Sequence, residues 1–144
     1  MSAVTPADRP RSRYALAGIL LGMGALHFAL PRPFMRIVPP IIGAPRFWVY
    51  ASGAAELVSG GLLLTTKTKH LGSRAAAATI AGVYPANIWM AMDAGAPTSA
   101  RAVAAWIRVP AQVPLLLWAL SHRRPHRAAV TPAPRLPEAC DHRP

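Results

Sequence analysis

Cysteine is nearly absent from this chain. Its one thiol, Cys140, lies beyond the last apolar stretch, so no intrachain disulfide framework, CxxC pair or thiolate metal site can be built. Acidic side chains are also scarce: 5 Asp and Glu stand against 16 Lys and Arg, for a net charge of +11. A carboxylate-rich metal centre of the Glu-x-x-His kind needs more acids than that on neighbouring helices. No strand pattern is present, which removes the strand, glycine-rich loop and helix unit that cradles phosphates. The decisive shortage is charge within the long apolar stretches, because the helices of a soluble bundle would carry charged outer faces.

Four such stretches are present: Tyr14–Leu30, Phe47–Leu64, Ala75–Met92 and Val103–Leu120, each of 17 or 18 residues. As helices they reach about 26 Å, close to a hydrocarbon core of roughly 30 Å. The sequence therefore predicts an all-α protein, an integral membrane four-helix bundle filling residues 14–120, with little room for tilt. Residues 1–13 and the basic, Pro-rich residues 121–144 read as disordered tails. The first stretch resembles a signal peptide, but no small-x-small cleavage site follows it and Pro31 comes next. It reads as a retained anchor.

The positive charge is not spread evenly. Arg9, Arg11 and Arg13 precede the first stretch, Lys67, Lys69 and Arg74 lie between the second and third, and Arg123, Arg124, Arg127, Arg135 and Arg143 follow the fourth. These eleven fall on one side, against Arg32, Arg36, Arg46 and Arg101 on the other. By the positive-inside rule both termini are cytoplasmic. The basic residues then set topology and meet anionic lipid, and a nucleic-acid partner is not expected.

Local features refine the bundle. Gly18 and Gly22 stand at GxxxG spacing, which predicts a close helix approach. In the external loop, Phe34, Ile37, Val38 and Ile41 are spaced as a short amphipathic turn that Pro39 and Pro40 end. Gly53 and Gly60 share a face with Glu56, which should turn that carboxylate toward protein. Pro85 in the third stretch, and Pro110 and Pro114 in the fourth, are expected to break or bend their helices and to free backbone carbonyls, that of Ala81 among them. Phe28, Phe47, Trp48, Trp89 and Trp106 mark the external interface, with Tyr14 and Trp118 at the cytoplasmic one.

Each apolar stretch also carries a polar group: His27, Glu56, Asn87, and Arg108 with Gln112. All five count to the external half of the membrane, where polar groups mark a pathway, a pocket or a pairing site. Glu56 and Arg108 are the only charges there, and their signs are opposite. The economical expectation is an ion pair between them, with Gln112, Asn87 and His27 filling the remaining hydrogen-bond capacity. A network that only fixes helix register stands at even weight with a working site. No metal site is expected, since His27 and Glu56 lack further ligands. Haem lacks a second axial histidine. Ser52 and Ser59 read as packing residues, not nucleophiles.

The strings GALHFALPRPFMRIVPP (24–40), VYASGAAELVSGGLLL (49–64), VYPANIWMAM (83–92) and WIRVPAQVPLLLWAL (106–120) resemble, in order and spacing, the DoxX-like family of small four-helix bacterial membrane proteins. The family-like polar and proline positions are His27, Pro31, Pro39, Glu56, Pro85, Asn87, Arg108 and Gln112. The resemblance implies a place in the bacterial plasma membrane and a redox-associated assembly. Quinone is the small molecule it implies, with a membrane or redox protein as partner. With Cys140 outside the bundle, such a role cannot run through a thiol of the bundle.

The functional expectation is a non-catalytic accessory component of a quinone-linked membrane assembly, since no self-contained catalytic motif is present. Two alternatives stand beside it. One is a small-molecule or proton-coupled binding or transport protein that uses a buried Glu/Arg site; four short helices leave little room for alternating access unless the chain forms a homo-oligomer. The other is a structural membrane subunit with a sealed polar core.

Overall fold

The computed structural model describes residues 10–122. Five α-helices occur in order: α1 Pro10–Ala29, α2 Pro31–Met35, α3 Pro45–Leu64, α4 Lys69–Ala94 and α5 Ala100–Ser121, with a 3-10 turn at Pro40–Ile42 between α2 and α3. No strand is found among the described residues. The protein is all-α. Local chemistry places several of the boundaries. Pro31 and Pro45 stand in first turns, where a missing N–H costs no helical bond. The Ser99 side chain accepts from the Ala102 N–H at 3.2 Å and caps α5. Gly95 ends α4 at a φ of +71°, a conformation that favours glycine. Trp106 then donates its indole N–H to the Gly95 carbonyl at 2.8 Å, tying the turn to α5.

The helices extend past the apolar stretches. Residues 10–13 are the first turn of α1 and not part of a disordered tail; the rest of both expected tails, residues 1–9 and 123–144, lies outside the described residues. Pro85, Pro110 and Pro114 break nothing: α4 and α5 run through them without interruption. All three rings are exposed on the outside of the helices, where they crowd no neighbouring helix. Two helices, α3 and α5, are long and apolar enough to cross a membrane. By the same measure α1 and α4 fall short, being richer in small and polar residues toward their ends.

Packing follows chain order: α1 lies against α3, α3 against α4, and α4 against α5, while short α2 folds back on α3 and α1. The α1 and α3 backbones nearly touch. A Cβ built at Gly53 would come within 2.7 Å of His27 Cβ, one at Gly24 within 2.9 Å of the Gly53 carbonyl oxygen, and one at Gly60 within 3.1 Å of the Ala17 carbonyl oxygen. Gly18 and Gly22, expected to form this contact, instead face open space. The inward stripe of α1 is Arg13, Leu16, Ala17, Leu20, Gly24 and His27, which leaves both of them on the other side.

Two apolar clusters fill the interior. The larger joins Leu16, Ala17 and Leu20 to Leu63, Ala76, Ala77, Ile80 and Ala119, near the end where α1 and α4 begin. The smaller, at the opposite end, joins Met90, Ala91 and Ala105, with Ile37 packed against it. The four apolar loop residues do not form one face: Ile37 turns inward, whereas Ile41 is 91% exposed.

Candidate functional site

Glu56 sits midway along α3 on the stripe that includes Val49, Gly53, Ser59 and Gly60. Because Gly53 lets α1 approach so closely, the next polar side chain across the contact is His27. Its Nδ1 lies 3.1 Å from Glu56 Oε2, and both residues are 8% exposed. The same nitrogen is 2.8 Å from the Met23 carbonyl oxygen. Two oxygen acceptors facing one ring nitrogen require that nitrogen to carry the proton. The proton is directed at Met23, so Glu56 Oε2 is buried beside the ring without a hydrogen bond of its own. The imidazole is held on its other side by Phe34, whose ring stacks on it at 4.0 Å between centroids.

The expected partner of Glu56 is therefore corrected. Arg108 is exposed, and its Nη1 points to the Met90 sulfur at 3.6 Å. Chain-order packing explains this, because α5 meets α4, and α3 lies against α4 rather than beside α5. Gln112 is the inward group of α5, at 7% exposure. Its Nε2 donates to the Ile80 carbonyl while its Oε1 accepts from Asn87 Nδ2. Gln112 thus clamps α5 to α4 within a turn or two of Pro85, one carbonyl before the one that the proline frees. The five polar residues form two units: His27 with Glu56, and Asn87 with Gln112. Arg108 belongs to neither.

Ser52 and Ser59 donate to the carbonyls of Val49 and Ala55, at 3.0 and 2.6 Å. Neither hydroxyl faces a histidine. An open cavity of about 450 Å³ lies at the α1–α2 junction, lined by Ala29, Leu30, Pro31, Arg32, Pro33 and Arg36. It begins two residues past His27, on the segment whose Phe34 covers the imidazole.

Sequence reasoning missed three members of this region. Phe34 was visible only as part of an amphipathic turn; its stacking depends on α2 folding back on α1. The Met23 carbonyl is four residues before His27 on the same helix, so a local bond was available to the imidazole from helix geometry alone. Gly24 carried no spacing signal beyond its place on the inward stripe.

The family model for a domain of unknown function, DUF8561, matches residues 16–123, so the chain belongs to that family. No curated protein and no solved structure matches. The DoxX-like resemblance is overturned by this match, which covers the same four strings. Those strings share features that any tightly packed apolar helix can have, namely small residues on one face with a single polar group or proline. The redox assembly and the quinone rested on that resemblance and have no other support.

Proposed function

We propose that this member of the DUF8561 family is a multi-pass membrane protein in which His27 and Glu56 form a proton-accepting site for a small polar molecule. Four helices, α1, α3, α4 and α5, cross the bilayer, with both termini on the cytoplasmic side. The reading of a membrane protein draws on the apolar residues left outside on every long helix, among them Ile19, Leu26, Val58, Leu71, Ile88, Ile107, Val113 and Leu117. Water would surround these side chains at a cost, and lipid would not. The eleven-to-four distribution of basic residues supports the orientation.

One observation carries the functional reading: Glu56 Oε2 is buried, lies 3.1 Å from His27 Nδ1 and has no hydrogen bond. An acceptor left open inside a protein invites a donor, either a proton or an N–H or O–H of a bound molecule. In this reading His27 and Glu56 face the non-cytoplasmic half, and the cavity lined by Arg32 and Arg36, which starts two residues past His27 in the chain, is the proposed route of entry.

The test is infrared difference spectroscopy of the protein in lipid as the external pH is lowered. A protonated-carboxyl band should appear in the wild type, vanish in Glu56→Gln and shift in frequency in His27→Asn. A spectrum identical in wild type and Glu56→Gln overturns the site. The second reading, a sealed structural core, is favoured by the tight Gly24 and Gly53 contact; it predicts a carboxyl that ignores external pH while the protein stays folded.

A further inference from the structure

The opposite end of the bundle, where α1 and α4 begin and α5 ends, holds a buried charge that the His27–Glu56 site does not use. Arg13 is 1% exposed. It stands on the inward stripe of α1, one turn before Leu16 and Ala17. Its Nη2 donates to the Tyr14 hydroxyl at 3.2 Å, and the guanidinium carbon is 4.9 Å from the centroid of that ring. Its Nε and Nη1 are buried without any hydrogen-bond partner.

A buried guanidinium needs its donors filled and its charge balanced, and here neither is done from within the described residues. Their acids are Glu56 and Asp93. Glu56 lies beside His27, midway along α3, and Asp93 faces Arg101 at 3.9 Å near the far end. Around Arg13 the nearby segments add Arg11, Lys67, Lys69 and Arg74. Two hydrogen bonds fasten the surrounding framework: Trp118 Nε1 donates to Ser12 Oγ at 2.7 Å, and Ser73 Oγ to the Ala119 carbonyl at 2.6 Å.

We propose that Arg13 anchors a phosphate-binding site at the start of α1, occupied by the phosphate of an anionic lipid headgroup. Tyr14 and Trp118 bracket the site, and such aromatic residues sit at headgroup level in membrane helices. A guanidinium with open donors suits phosphate oxygens better than an ammonium would. The lipid as source rests on the membrane reading above; the phosphate chemistry does not.

The experiment compares the melting temperature of full-length wild type, Arg13→Gln and Arg11→Gln under two additions. One replaces phosphatidylcholine by phosphatidylglycerol in nanodiscs. The other replaces chloride by inorganic phosphate at equal ionic strength in neutral detergent. Phosphatidylglycerol should raise the melting temperature of wild type and Arg11→Gln but not of Arg13→Gln. A rise with inorganic phosphate that Arg13→Gln abolishes keeps the site and makes a soluble phosphate its occupant, even if the membrane reading fails. Equal responses in wild type and Arg13→Gln, equal losses in Arg11→Gln and Arg13→Gln, or no response to either addition overturns the proposal. So does a fall in wild-type melting temperature on substituting Asp8, Glu138 and Asp141 by their amides that matches the fall caused by Arg13→Gln. Should Arg13→Gln fail to fold, native mass spectra of wild type and Arg13→Lys decide. About tenfold less retained phosphatidylglycerol in the lysine variant supports the site, and equal retention overturns it.

Discussion

Glu56 Oε2 lies 3.1 Å from His27 Nδ1 across the α1–α3 contact, and the glycine one turn before Glu56 is what allows it. His27 Cβ occupies the space that a Cβ at position 53 would need, at 2.7 Å. Charge chemistry and backbone packing are therefore one feature of the fold at this point.

The first prediction is that His27 and Glu56 are energetically coupled and that Arg108 is not coupled to Glu56. Breaking a buried pair by removing one partner costs up to about 3–5 kcal/mol, and removing both costs less than the sum. Chemical or thermal unfolding of His27→Gln, Glu56→Gln and the double variant in detergent should show that shortfall. Arg108→Gln combined with Glu56→Gln should add to within about 0.5 kcal/mol, as independent sites do. A strong interaction energy between positions 56 and 108 would contradict the observed geometry.

The second prediction separates five glycines. Gly53→Ala and Gly24→Ala should each destabilise by about 1–3 kcal/mol, because the added methyl meets backbone or the His27 stem. Gly18→Ala and Gly22→Ala, with open space around them, should be neutral or stabilising by up to about 1 kcal/mol through helix propensity. Gly60→Ala should fall between the two pairs, since its nearest contact is the Leu21 side chain, Cγ at 2.8 Å, and the backbone it meets, the Ala17 carbonyl, stands farther off at 3.1 Å. Melting temperatures of the five variants in one detergent give the order.

This contrast shows what the sequence could and could not say. The approximate placement of the four long helices followed from the length and spacing of the apolar stretches, though short α2 did not, and the inward turn of Glu56 followed from Gly53 and Gly60. Pairing did not follow, because opposite charge identifies a compatible partner but not which helices are neighbours. Arg108 was the better electrostatic match for Glu56, yet α5 packs on α4, and His27 was the side chain within reach. The GxxxG spacing at Gly18 and Gly22 misled for a related reason: spacing fixes a common face, not whether that face points inward. Arg13 looked like one more topology-setting cation, and only the tertiary structure shows it buried.

The third prediction concerns the clamp between α4 and α5. Gln112 bonds both Asn87 and the Ile80 carbonyl, whereas Asn87 bonds only Gln112 among its contacts here. Gln112→Leu should therefore leave two α4 groups without their partner and cost about 2–4 kcal/mol, at about 1–2 for each lost bond. Asn87→Ala should cost about half as much, because the bond from Gln112 to Ile80 survives. A larger loss for Asn87→Ala than for Gln112→Leu would show that the backbone contact beside Pro85 contributes little.

The fourth prediction concerns sidedness, on which both proposed sites depend. Thr66 lies in the exposed turn between α3 and α4, and Thr98 in the exposed turn between α4 and α5. A chain that crosses the membrane must place these turns on opposite sides, with the Lys67, Lys69 and Arg74 side cytoplasmic. In a Cys140→Ser background, Thr98→Cys should react with a membrane-impermeant maleimide in sealed right-side-out cells. Thr66→Cys should react only after permeabilisation, as should the native Cys140, which lies outside the described residues but follows α5 in the chain. Labelling of Thr66→Cys alone would invert the orientation, placing the His27–Glu56 site toward the cytoplasm and Arg13 at the outer leaflet. Equal labelling of both turns in sealed cells would mean that α4 does not cross, and the four-helix membrane reading would fall with it.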